Sequence, residues 1–155
     1  MTRQYRLAVG SDNAAYQYKN VIVADLKNDP RVSSVEDFGV YEATTVDRCY
    51  ADVAIVVAEA VAAGRADRGI LMCGTGIGMA ISANKVAGVF ATVAHDSYSV
   101  ERSILSNNCS ILTMGQRVIG LELARRLARE WLDYEFDPSS PSQDKVAVIE
   151  AYERR

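Results

Sequence analysis

Residues 69–79 read GILMCGTGIGM, and this stretch decides the fold of the chain. Its apolar first half predicts a buried strand, and the glycines that follow predict a tight turn into a helix. Glycines at the start of a helix let backbone N–H groups surround an anion, and the helix N-terminus adds partial positive charge. Cys73 lies in that field, which favours the thiolate form of its side chain. The stretch therefore predicts a strand that ends in a chemically active turn.

The sequence on both sides alternates short apolar strands with helical patterns. We predict strands at residues 5–10, 32–38, 69–73, 90–95 and 110–114, and helices at residues 16–28, 50–63, 79–85, 97–105, 120–134 and about 142–155. This alternation is typical of a parallel sheet with helices on both faces. The predicted fold class is therefore α/β, a Rossmann-like three-layer α/β/α sandwich with a five-stranded parallel sheet.

No linker, repeat or low-complexity tract divides the sequence, so we expect residues 1–155 to form a single domain. The last helix, at about residues 142–155, follows a loop rich in proline and serine. It either reaches across to a second subunit or caps its own domain. Its apolar side chains lie on roughly one side and are Val146, Val148, Ile149 and Tyr152.

The composition is that of an ordinary globular protein, with 49% hydrophobic and 24% charged residues and a formal net charge of -3. That charge provides no field suited to nucleic acid or to an anionic membrane surface. No apolar run approaches the ~20 residues of a membrane span. The three cysteines are far apart and form no CxxC pair, which argues against a disulfide framework and a cysteine-based zinc site. We therefore expect a cytoplasmic protein with no metal, nucleic-acid or membrane partner.

Polar side chains follow the predicted strands at the edge where open α/β sheets bind their ligands. Asp12 follows the first strand, Cys73 ends the third, His95 ends the fourth and Arg117 follows the fifth. Because the carboxyl ends of parallel strands share one edge, these side chains are predicted to surround a common site.

Each candidate also has a plainer interpretation. Asp12 could cap the first helix, and Asp96 is predicted to cap the helix at residues 97–105. Cys73 could be a small packing residue, and His95, the only histidine, a hydrogen-bonded structural residue. Arg117 could be a solvated surface arginine or, at that edge, an anion clamp.

The glycine-rich turn is also not specific by itself. It lacks the Lys-Ser/Thr ending of a nucleotide-triphosphate loop, and it departs from the GxGxxG pattern of dinucleotide sites. A tight turn without a ligand and a dinucleotide-binding module are therefore alternatives, the second the weaker of the two.

Four motifs together resemble the ribose-5-phosphate isomerase B and galactose-6-phosphate isomerase family, in order along nearly the whole chain. They are CGTGIGMAISANKV at residues 73–86, GSD at residues 10–12, HDSYS at residues 95–99 and GQRVIG at residues 115–120. The resemblance implies an aldose–ketose isomerase of a phosphorylated sugar, with no cofactor, on a Rossmann-like sandwich. It also implies a homodimer, or a dimer of dimers, with active sites shared between subunits.

The resemblance further implies roles for individual residues. Cys73 would be the base that moves a proton between C1 and C2 through a cis-enediolate, and Thr75 would act with it. The enediolate oxygen would be held by Thr75 and by backbone amides in the loop, and the loop residues that would contact substrate are Gly74, Gly76, Ile77, Gly78 and Met79. Asp12 would bind substrate hydroxyls.

The remaining substrate contacts would come from outside the glycine loop. Asn107 matches a substrate-contacting asparagine, and Arg117 matches a phosphate ligand supplied by the partner subunit. The sequence departs from the family pattern at three places. Ser106 replaces the histidine that helps to open the furanose ring, and serine does not titrate near neutral pH. Asn13 replaces a histidine of the phosphate site.

The third departure is the absence of two arginines of the C-terminal phosphate pocket. Lys145 is the nearest cation to one of those positions, and it is predicted to contact the substrate with the other members of the site, His95 among them. The departures favour a substrate that needs no ring opening. A four-carbon sugar with its terminal hydroxyl phosphorylated cannot close a five-membered ring through that oxygen.

The favoured substrate pair is therefore D-erythrulose 4-phosphate and D-erythrose 4-phosphate. The interconversion of ribose 5-phosphate and ribulose 5-phosphate is the main alternative, and an allose or galactose 6-phosphate is a further one. A different class of function is a non-catalytic sugar-phosphate-binding subunit, against which the presence of both Cys73 and Thr75 argues.

Overall fold

The computed structural model describes residues 3–42 and 48–155. Within them a five-stranded parallel sheet has the strand order β2-β1-β3-β5-β4. The strands are β1 Tyr5–Ser11, β2 Val32–Asp37, β3 Arg68–Cys73, β4 Ala91–Val93 and β5 Ile111–Gly115. The helices are α1 Tyr16–Lys27, α2 Tyr50–Ala62, α3 Ile77–Ala83, α4 Ser97–Leu105, α5 Leu121–Trp131 and α6 Ser142–Glu153.

Each face of the sheet buries alternate residues of the central strands. Leu7, Ile70 and Leu112 point towards α1, α4 and α5, in a core that centres on Trp131. The alternate residues, such as Leu71, point towards α2 and α3. Side chains of successive strand residues point to opposite faces, so both sets must be apolar in a sheet covered on both sides. The predicted α/β/α sandwich is confirmed.

The boundaries of some elements differ from the sequence prediction. β4 is shorter than predicted and ends at Val93. It is an edge strand, and only its residues 91–93 pair with β5. α3 begins at Ile77 rather than at residue 79, since Gly76 in the left-handed conformation already caps it. α5 ends at Trp131, where the chain turns back, rather than at residue 134.

The last helix buries one side chain in its own chain, Val146, which is 1% exposed. The other apolar members of α6 are exposed, by 69% for Val148, 49% for Ile149 and 73% for Tyr152. α6 thus leaves most of its apolar side open to solvent in the single chain. No described helix combines the length and apolar character needed to cross a membrane.

Candidate active site

A cleft of about 440 Å³ opens at the carboxyl ends of β1 and β3. It brings together the glycine loop after β3, the residue after β1 and the turn after β5. Its lining residues are Asp12, Ala14, Tyr50, Cys73, Gly74, Thr75, Ile77, Gly78, Ile81 and Arg117. Seven of the predicted site residues, from the loop and from the turns after β1 and β5, thus face one space, as expected for an open parallel sheet.

Cys73 is the last residue of β3 and is 5% exposed. Its Sγ accepts a hydrogen bond from the N–H of Gly76 at 3.0 Å, so the loop folds back over the sulfur. Gly76 has φ +80°, and a Cβ at this position would lie 2.9 Å from the backbone carbon of Met114. Both the conformation and the space therefore require glycine, and together they place an amide donor on the sulfur.

The start of α3 presents further donors. The first N–H groups of a helix have no intrahelical acceptor, and the N–H of Ile77 bonds instead to Thr75 Oγ1 at 3.2 Å. The N–H groups of Gly78 and Met79 have no acceptor among the described residues. The side chain of Met79 is buried in the core, so this residue offers only its backbone. Two amides are thus available for an oxygen that carries negative charge.

Asp12 does not cap α1, whose N-cap is Ala15 without a side-chain bond. The Asp12 carboxylate instead accepts from the N–H of Ala14 at 2.9 Å, which bends the chain after β1 and keeps the carboxylate in the cleft lining. The capping interpretation of Asp12 is therefore wrong for α1. Asn13 follows it, half-buried and outside the lining.

Arg117 lies over the glycine loop of its own chain. The N–H groups of Gln116 and Arg117 donate to the carbonyl oxygens of Cys73 and Gly74, each at 3.0 Å. A Cβ on Gly74 would lie 3.3 Å from Arg117 Cδ and Nη1, so the guanidinium extends across this residue. The expectation that a partner subunit supplies Arg117 is therefore not met, because the tight turn after β5 holds it beside Cys73.

His95 lies just beyond β4, half-buried and outside the residues that line the cleft. Its Nε2 accepts a hydrogen bond from the N–H of Gly115 at 2.9 Å, and a neutral imidazole that accepts there carries its proton on Nδ1. Burial lowers the pKa of His95 below its usual value, and the carboxylate of Asp96 opposes that shift. Asp96 caps α4, as predicted, by accepting from the N–H of Ser99 at 2.8 Å.

Three predicted or discussed residues lie far from this cleft in the same chain. Ser106 and Asn107 follow α4, which runs back from the cleft edge to the opposite edge of the sheet. The next residue, Asn108, lines a second cleft there with residues at the starts of β1 and β3. Lys145 is exposed in α6, two residues after Gln143 of that second cleft. Strands of about 17–20 Å separate the two edges.

The cleft also contains residues that sequence analysis missed, chiefly Tyr50, the first residue of α2. A helix that connects parallel strands begins at the carboxyl edge of the sheet, so its first residue faces the ligand site. That rule was the available signal for Tyr50. Within residues 3–42 and 48–155, no three His, Cys, Asp or Glu side chains come together as metal ligands.

The sequence and the fold of this chain are similar to those of known proteins. The sequence profile of the ribose/galactose isomerase family matches residues 7–149. A Mycolicibacterium smegmatis protein named D-erythrulose-4-phosphate isomerase 2 is 55% identical over 150 residues, which cover 96% of this chain and 97% of the relative. A Listeria innocua protein named ribose-5-P isomerase B is 43% identical over 150 residues, covering 97% and 98%.

A solved structure has the same fold over nearly its whole length. The ribose-5-phosphate isomerase B of Clostridium thermocellum superimposes with a TM-score of 0.89 and 39% identity, over 96% of this chain and 97% of the other. The similarity therefore extends through all the elements that build the cleft.

Proposed function

This chain belongs to the ribose/galactose isomerase family, and on that premise we propose that it is an aldose–ketose isomerase of a four-carbon sugar phosphate. The favoured substrate pair is D-erythrulose 4-phosphate and D-erythrose 4-phosphate. The observation that carries the proposal is the bond from Gly76 N–H to Cys73 Sγ in the cleft, with two helix N–H groups beside it. This arrangement can both remove a proton and hold the resulting charge.

Cys73 is the proposed base. As a thiolate it takes the proton from the carbon that bears a hydroxyl next to the carbonyl, and the electron pair of that C–H bond moves to form an enediolate. The thiol then returns the proton to the neighbouring carbon, while a proton passes between the two oxygens. One base serves both carbons because they are adjacent. The N–H of Gly76 stabilises the sulfur anion before and after the transfer.

The enediolate oxygen is placed against Thr75 and the N–H groups of Gly78 and Met79. These donors are fixed by the start of α3, so they need no reorganisation when the negative charge develops. Gly74 carries no side chain and leaves room for Arg117, which is proposed to bind the phosphate as a charge-assisted donor. The Asp12 carboxylate accepts from substrate hydroxyl groups.

Ser106 and the similarity values support the tetrose substrate. The D-erythrulose-4-phosphate isomerase relative is 55% identical, whereas the ribose-5-phosphate isomerases reported above are 43% and 39% identical. A tetrose phosphorylated on its terminal oxygen stays open-chain, and it therefore needs no histidine at position 106 for ring opening. Ribose 5-phosphate remains the second candidate, since two of the three relatives carry that name.

The separation of Asn107 and Lys145 from Cys73 supports a shared active site. If these residues contact substrate, they do so in the cleft of a second copy. Such an interface would cover large apolar side chains that are exposed in the single chain. Ile77 and Ile81 lie beside the cleft, and Tyr152 lies on α6. We therefore propose a homodimer, or a dimer of dimers, in which the partner subunit's Asn107 completes each site. The single-domain organisation and the cytoplasmic location stay predictions.

A panel of C4, C5 and C6 sugar phosphates tests the proposal. We expect the highest kcat/KM on D-erythrulose 4-phosphate, and in heavy water we expect solvent deuterium at the carbon that receives the proton. A higher kcat/KM on ribose 5-phosphate would overturn the tetrose assignment and leave the isomerase chemistry in place. Absence of activity on every sugar of the panel would overturn both.

The variant Ser106→His separates the two substrates further. An added imidazole supplies the ring-opening acid that a furanose needs, so kcat/KM on ribose 5-phosphate should rise by about tenfold. Activity on the open-chain tetrose phosphate should change little. An unchanged pentose activity would contradict the role assigned to position 106.

A further inference from the structure

Residues 115–117, the last residue of β5 and the turn that follows it, are tied to three other elements of the chain. The N–H of Gly115 donates to His95 Nε2 at 2.9 Å, and the next two N–H groups donate to the carbonyl oxygens of the glycine loop. The side chain of Gln116 accepts from the N–H of Tyr18 at 3.1 Å and so connects the turn to α1. Three consecutive residues therefore hold together the ends of β3, β4 and β5 and the start of α1.

This turn also touches the glycine loop backbone to backbone. A Cβ on Gly115 would lie 2.6 Å from Thr75 Cα and 2.7 Å from Gly74 O. The contact has no side chain that could absorb a displacement, because both partners are main chain. A shift of Gly115 by a few tenths of an ångström would therefore displace Thr75. It would otherwise displace Arg117, which follows Gly115 by two residues.

We propose that His95 is a positioning residue for the isomerase reaction, whose neutral imidazole fixes Gly115 and thereby the places of Thr75 and Arg117. The inference rests on the proposed function. It replaces the expectation that His95 contacts the substrate, since its Nε2 is already occupied by the backbone.

The proton on His95 decides whether this bond can exist. A neutral imidazole accepts at Nε2, whereas an imidazolium presents an N–H there and meets the Gly115 N–H donor to donor. Burial is the larger influence and lowers the pKa of His95, while the charge of Asp96 at the start of α4 raises it. The bonds from Ser99 and Tyr98 in α4 lower the pKa of Asp96, so it is charged throughout the range in which His95 titrates. The turn at residues 115–117 brings one further charge, Arg117, close to the same loop.

Because His95 is the only histidine, nuclear magnetic resonance can follow it without ambiguity. In the wild-type protein labelled with ¹⁵N we expect the tautomer with the proton on Nδ1, and an amide resonance of Gly115 that titrates together with the imidazole. This measurement needs no substrate and no variant. A tautomer protonated on Nε2, or a Gly115 amide that does not follow the titration, would overturn the positioning role whatever the enzyme turns out to isomerise.

Two substitutions then test the functional consequence. His95→Gln places an amide oxygen where it can accept from Gly115, and this oxygen does not titrate. His95→Leu removes the acceptor. We expect His95→Leu to lose about tenfold in kcat/KM at pH 7.5 and to weaken the binding of inorganic phosphate several-fold, and His95→Gln to keep most of both. Equal values for the two variants would overturn the proposal.

The pH profile provides the readout that a merely structural role would not move. The wild-type kcat/KM should fall as pH drops through the pKa of His95, in addition to any fall from the substrate phosphate. His95→Gln should lose that added fall. Asp96→Asn keeps a capping side chain but removes the charge that raises the pKa of His95, so the fall should move to lower pH. An acid limb identical in all three proteins would contradict the inference.

Discussion

The ring of Tyr50 lies directly on Gly78, the second residue of α3. A Cβ on Gly78 would lie 2.4 Å from Cε2 of that ring and 2.7 Å from its Cζ. The ring can occupy this place only because position 78 has no side chain. Tyr50 is 43% exposed, so the ring covers the start of α3 from the solvent side and forms one wall of the cleft.

Gly78→Ala should therefore impair activity more than stability. The new methyl group displaces the exposed ring rather than the backbone, so the free energy of unfolding should stay within about 1 kcal/mol of the wild type. Activity should fall by about tenfold, because the wall of the cleft moves and the N–H of residue 78 shifts with it. Steady-state kinetics and urea unfolding of the same preparation measure the two effects.

The double variant Tyr50→Ala/Gly78→Ala provides the matched comparison. Once the ring is absent, the methyl group should add little further loss, so the two changes should be non-additive. Gly120→Ala is the control, since a Cβ there meets nothing within 4 Å. Additive losses in the double variant would show that the ring is not the cause.

Replacing the proposed base should abolish turnover with little effect on folding. Cys73→Ser keeps the size of the side chain but offers a hydroxyl that stays protonated, so kcat should fall by about 10²–10⁴-fold. Cys49→Ser is the control, because Cys49 is exposed and lies outside the cleft lining. Turnover by Cys73→Ser at the rate of this control would exclude the sulfur as the base.

Two causes require glycine at position 76, its left-handed conformation and its contact with Met114, and two substitutions can separate them. Gly76→Ala places a Cβ both in a left-handed conformation and against the backbone of Met114, so we expect a loss of about 3 kcal/mol in unfolding free energy. Gly64 has φ +71° but open space around it, and Gly64→Ala should cost about 1 kcal/mol. Equal losses from urea unfolding would mean that the contact with Met114 contributes nothing.

Lys19 provides a test of stability away from the cleft. Its Nζ is fully buried, lies 2.7 Å from the Asp37 carboxylate and 4.6 Å from the centroid of the Tyr41 ring. Lys19→Met keeps the packing but leaves the largely buried Asp37 carboxylate without its cationic partner, which should cost about 3 kcal/mol. Arg65→Met removes an exposed pair with Glu36 and should cost less than about 0.5 kcal/mol. A Lys19→Met protein as stable as Arg65→Met would refute the argument.

The cysteines should react in an order set by burial. Burial raises the pKa of the Cys109 thiol to about 12, so at pH 8 its thiolate is present at about one part in 10⁴. Cys49 is exposed. Iodoacetamide followed by mass spectrometry should find Cys49 labelled in the native protein and Cys109 labelled only after unfolding. Labelling of native Cys109 at the rate of Cys49 would contradict the burial of this thiol.

The sheet was predictable because its signal is local. The run that ends at Cys73 is apolar along its whole length, as a strand buried on both faces must be, and the glycines after it end the strand. The capping of α4 by Asp96 was predictable for the same reason, since an N-cap bonds only to residues two or three positions ahead.

Contacts between distant segments gave no comparable signal. The start of α3 depended on the left-handed conformation of Gly76, which the strand β5 enforces from 38 residues away at Met114. The hydrogen-bond partner of His95 could not be predicted from the sequence either. The imidazole accepts from the main-chain N–H of Gly115, a group that every non-proline residue possesses.

The sequence by itself determined the α/β class, the order of the elements and the edge of the sheet at which chemistry takes place. These follow from periodicity and from residue types within one segment. Only the tertiary structure decided that Tyr50 covers Gly78, that Arg117 lies beside its own Cys73, and that Asn107 lies at the far edge. Those outcomes depend on how separate segments meet, and the energy of such contacts exists only once the sheet has brought them together.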